Sequence, residues 1–65
     1  MRERLKAARK EKGLTQQQLA DRLGITLRYY RLIEEGKRCG NFEIWDKLED
    51  FFGVHQRLLR ELPPH

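Results

Sequence analysis

The sequence predicts an all-α fold of five short helices around one core, and three observations carry that expectation. Glycines at 13, 24, 36, 40 and 53 divide most of the chain into stretches of roughly 8 to 12 residues, and the only prolines, Pro63 and Pro64, close it. Residues able to cap a helix start, Thr15, Thr26 and Asn41, stand before the middle stretches. No run alternates apolar and polar residues as a half-buried strand would.

The first helix is expected from Arg2 to Lys12, where good helix formers predominate and Leu5, Ala8 and Arg9 fall at i, i+3 and i+4. Gly13 should end it. Thr15 with Gln18 three residues later forms a capping-box signature, so a second helix should run from Gln16 to Leu23. Thr26 caps a third, from Leu27 to Glu35, which Gly36 ends. Asn41 opens a fourth, whose Phe42, Trp45, Leu48 and Phe52 fall at helical spacing, with Trp45, Leu48 and Phe52 expected in the core. A fifth, from about His55 to Glu61, stops before the prolines.

At 65 residues, with 38% apolar and 37% charged, the chain reads as one soluble domain over 1–65 that needs nearly all its apolar residues for its core. The expectation is therefore that no catalytic or sensor domain accompanies it. No stretch approaches a membrane span or a signal peptide, so a cytoplasmic protein is expected. Cys39 has no cysteine to pair with, and His55 and His65 lack metal-ligand spacing. No phosphate loop or nucleophile motif appears, so neither an enzyme, a metal nor a cofactor is expected. The net charge of +4 is unevenly placed: residues 1–38 hold 11 Lys or Arg against 5 Asp or Glu, a balance of +6, and the remainder holds −2. The basic part is the candidate surface for an anionic partner such as nucleic acid.

Only a few residues around Gly24 join the second and third helices, which suits a sharp crossing rather than a long hairpin. Over about 16–35 the residues match the needs of a helix-turn-helix. Leu19 and Leu23 face the core, Ala20 is small where the third helix passes, and Gly24 suits a left-handed turn. Ile25 plugs the turn, and Tyr30 and Ile33 are the inward residues of the third helix.

The runs Leu14-Thr15-Gln16, Leu19-Ala20, Leu23-Gly24-Ile25-Thr26 and Ile33 to Arg38, with Phe42, Trp45, Leu48 and Phe52-Gly53-Val54, resemble the lambda-repressor and Cro family of helix-turn-helix domains, also called the xenobiotic response element family. The resemblance covers about residues 2 to 60. It implies a five-helix DNA-binding domain, usually a homodimer on a palindromic double-stranded operator, here as a small phage-repressor-like transcriptional regulator. The same fold could instead serve a protein partner, as in an antitoxin.

In a helix-turn-helix the second helix of the pair enters the major groove. Helical periodicity puts Leu27, Arg28, Arg31 and Leu32 opposite Tyr30 and Ile33 on the recognition helix, about 27–35. Arg28 can pair bidentately with guanine, or touch phosphate; Arg31 is divided evenly between base and phosphate. Leu27 and Leu32 depart from the polar residues common in the family, and suit either thymine methyls or a protein partner. Gln16 can bring its amide and helix-start N–H groups to a phosphate, a role the resemblance also assigns it. Tyr29 can offer its hydroxyl to a phosphate. The resemblance gives Lys37 and Arg38 to the DNA backbone and pairs Arg9 with Glu34 as a structural ion pair; the alternative leaves both on the surface. Ile44 and Phe51, with Leu58 and Leu59, supply either a two-fold contact or extra core.

Overall fold

The computed structural model describes residues 1–60, which form α1 (Glu3–Glu11), α2 (Gln16–Leu23), α3 (Leu27–Glu34), α4 (Phe42–Phe52) and α5 (Gln56–Arg60). The all-α architecture is present, and each helix begins within a residue of its expected start. The expected last residue of the fifth helix, Glu61, lies outside the described residues. None of the described helices is long and apolar enough to cross a membrane.

The core forms because α4 lies between α2 and α5, while α5 folds back over α1 and α1 touches α3. Leu5, Leu19, Ala20, Leu23, Tyr30, Ile33, Trp45, Leu48 and Leu59 are almost fully enclosed. Trp45 is the largest of them, and its indole N–H donates to the carbonyl of Cys39 at 2.7 Å. Gly40 makes this close approach possible: at φ +73° it suits no other residue well, and a Cβ there would stand 3.1 Å from the indole nitrogen.

Trp45 and Leu48 are buried as expected, and Phe52 is half-buried. Phe42, which shares their helical spacing, is 76% exposed. As the first residue of the helix, it projects its side chain back past the helix end, beyond the packed turns. Of the residues open to either a two-fold contact or extra core, Ile44 and Leu59 belong to the core, at 4% and 1% exposed. A single helical face does not describe α4, because it is covered on two sides, by α2 and by α5. Phe51 is half-buried, and of that group only Leu58 stays largely open.

Candidate nucleic-acid interface

Local chemistry builds the α2–turn–α3 unit. Thr15 Oγ1 accepts from the Gln18 amide at 3.1 Å while Gln18 Oε1 accepts from the Thr15 amide at 2.9 Å, so the capping box is closed in both directions. At the other end Gly24 adopts φ +73°, and the amides of Gly24 and Ile25 donate to the carbonyls of Asp21 and Ala20. These two bonds are a Schellman cap, which turns the chain sharply enough for α3 to cross α2. Thr26 Oγ1 then accepts from the Tyr29 amide at 3.1 Å and starts α3. Ala20, fully buried, allows the close crossing.

Tyr30 and Ile33 are fully enclosed, so α3 is fixed against the core by one face. On the opposite side Arg28 and Arg31 are exposed, whereas Leu27 and Leu32 are half-buried. Tyr29 is half-buried too, packed against the core beside a cleft of about 260 Å³ that Ile25, Asn41 and Ile44 also line. Lys37 and Arg38 are exposed after α3, with Lys37 Nζ 3.6 Å from Glu35 Oε1. Gln16, half-buried at the start of α2, does not reach freely into solvent: its amide nitrogen donates to Glu34 Oε1 at 3.1 Å, and its oxygen accepts from Arg31 Nε at 3.2 Å.

Behind this face lies a buried polar cluster around Glu34, 2% exposed. Arg9 Nε donates to Oε2 at 2.9 Å and Nη2 to Oε1 at 3.3 Å, the fork geometry in which guanidinium binds carboxylate best. Tyr30 donates its hydroxyl to Oε2 at 2.5 Å. Burial pushes the Glu34 carboxyl up, but the hydrogen bonds from Arg9, Tyr30 and Gln16 outweigh it and hold the group below its ordinary value. The hydrogen bond to Glu34 holds Arg9 more firmly protonated. Burial first, then the bond to Glu34, pushes the Tyr30 phenol up. Arg9 Nη1 also donates to the Leu14 carbonyl at 2.8 Å, so the cluster joins α1, the loop before α2, and α3.

Arg2 is the structural residue that sequence reasoning missed. It is 2% exposed and lies over Trp45, 5.1 Å from the ring centroid. Its Nε donates to the Arg60 carbonyl at 3.0 Å, its Nη1 to that of Arg38 at 2.9 Å, and Nη1 also donates to that of Ile33. Its main-chain N–H bonds the Glu34 carbonyl at 2.8 Å. A cation at the end of α3 meets carbonyls there that lack helical partners. Arg2 thereby ties the end of α3 and the Lys37–Arg38 loop to α1 and α5. Among the described residues every buried side-chain nitrogen and oxygen is hydrogen-bonded, and no group of three or more His, Cys, Asp or Glu could hold a metal ion.

Residues 5–55 match a family model described as helix-turn-helix. The chain is also 44% identical over 52 residues to the SPbeta prophage-derived uncharacterized HTH-type transcriptional regulator YonR of Bacillus subtilis (strain 168). That alignment covers 80% of this chain and 48% of the relative, so the match spans about half the relative's length. No solved structure matches the chain. With its sharp α2–α3 turn and matched positions across most of its length, the chain belongs to the lambda-repressor-like helix-turn-helix family.

Proposed function

We propose that this domain binds double-stranded DNA sequence-specifically, as part of a transcriptional regulator, by laying α3 in the major groove. The observation that supports this most is the division of α3: Tyr30 and Ile33 lock one face into the core, and Arg28 and Arg31 stand exposed on the other. The family, and the name of the relative as a transcriptional regulator, support the same reading.

Arg28, near the start of α3, is the principal base reader through its two-pronged donor edge, with Arg31 beside it on the same face. Leu27 and Leu32 contact thymine methyls. Gln16, Tyr29, Lys37 and Arg38 hold the sugar-phosphate chain. Repression follows from occupying an operator that polymerase needs. The domain measures 31 × 23 × 20 Å, so two copies on palindromic half-sites roughly 34 Å apart would stand close enough to touch, in line with a homodimer. A protein partner on this face is the weaker reading, because Leu27 and Leu32 are half-buried and offer little apolar surface.

Selection of bound sequences from a random duplex pool, followed by titration at several salt concentrations, tests this. Binding should weaken steeply with salt, because neutralised phosphates release counterions. Arg28→Ala should cost about 1 to 3 kcal/mol and relax one operator position, whereas Lys37→Ala should weaken all sequences alike and lower the salt slope by about 1. No enriched sequence even at low salt, or an Arg28→Ala variant with unaltered preference, would sink the reading.

A further inference from the structure

We propose that Gln16 is a positioning residue that sets which edge of Arg31 faces DNA. The inference rests on the DNA-binding reading of α3. Glu34 is immobilised by Arg9 and Tyr30, and an ionised carboxylate only accepts hydrogen bonds. The Gln16 amide must therefore turn its NH₂ toward Glu34 and its oxygen outward, where Arg31 Nε meets it at 3.2 Å.

A guanidinium is planar, so fixing its Nε–H sets the plane of the whole group. The Nε edge of Arg31 is occupied, and its terminal Nη1 and Nη2 fork is what remains for a ligand. That fork is a donor pair of the spacing that matches guanine O6 and N7. Arg28 makes no such bond among the described residues and must be ordered by DNA itself. Arg31 is held beforehand and loses less side-chain freedom on binding. Gln16 thus does more than approach a phosphate: it transmits the fixed position of a buried carboxylate to a base-facing arginine, and one amide N–H remains for a phosphate oxygen.

The test compares wild type, Arg31→Ala, Gln16→Met and the double variant by competition at single base pairs of the selected operator, with melting temperature measured alongside. The base pair whose preference disappears in Arg31→Ala is the one Arg31 reads. Gln16→Met is expected to reduce discrimination at that same pair by about tenfold. It should preserve the preference that Arg28→Ala abolishes, and add no loss of discrimination to Arg31→Ala. Gln16→Asn keeps an amide at the helix start but is too short to span Glu34 and Arg31, so it should behave like Gln16→Met. A uniform fall in affinity with discrimination intact, or an equal loss at both base pairs, overturns the proposal. So does Arg31→Ala with no position-specific loss. Failure of the wild type to select any sequence brings down the DNA-binding reading as well.

Discussion

Arg9 and Arg2 lie toward opposite ends of α1, both buried, at 8% and 2% exposed, yet each meets a different kind of partner. Arg9 faces an ionised carboxylate that further donors support. Arg2 meets neutral carbonyls of Ile33, Arg38 and Arg60 and the ring of Trp45. The first site is held by charge against charge, the second by charge against aligned dipoles and a π face. Removing a partner therefore leaves different debris: a buried unpaired cation in one case, neutral carbonyls in the other.

The largest effect should come from Glu34→Ala, which leaves Arg9 buried without its counter-ion and the Tyr30 hydroxyl without its acceptor. A loss of about 3 to 5 kcal/mol is expected in denaturant unfolding, together with weaker operator binding. An unchanged melting temperature would dismiss the pair as a support of the fold. Arg2→Met should cost less, about 2 to 3 kcal/mol, because the carbonyls it abandons carry no net charge. If Arg2→Met proves the more damaging, charge against dipole is the stronger of the two devices here.

Tyr30→Phe is the smallest change, at about 1.5 kcal/mol, because Glu34 keeps Arg9 and Gln16. It also bears on acid stability. Glu34 titrates lower folded than unfolded, so its contribution is present above the ordinary carboxylate range and disappears as pH falls through and below it. Acid unfolding should therefore begin at higher pH in Tyr30→Phe than in wild type. Arg2→Met should leave that acid-dependent contribution in place, and Glu34→Ala should abolish it. Parallel acid profiles for all four proteins would count against Glu34 as the acid-sensitive group.

The same contrast shows what could be read in the sequence. Thr15, Thr26 and Asn41 act on neighbours a few residues away, so their local pattern was enough to place three helix starts. Arg9 and Glu34 are 25 residues apart, and no spacing rule joins them; their pairing came from family resemblance. Arg2 had no legible partner, because carbonyls belong to every residue and only folding brings three of them to one place. Gln16 was legible as a helix-start residue but not as a bridge, since its neighbours arrive from a different helix. Phe42 shares the helical spacing of Trp45 and Leu48 yet stays exposed, because spacing assigns a face without showing where along the helix the covering elements stop.

Arg2 and the carbonyl of Arg60 meet at the C-terminal end of α3, so both ends of the described chain converge there. Eight helical residues span about 12 Å, which separates that point from the other tip of α3, where Arg28 stands. Residues 2 and 60 therefore leave the domain at one corner, beside the Lys37–Arg38 loop and about the length of α3 from Arg28. One clamp on the carbonyls of Ile33, Arg38 and Arg60 thus joins the first and last described residues, so loosening either end of the described chain loosens the other.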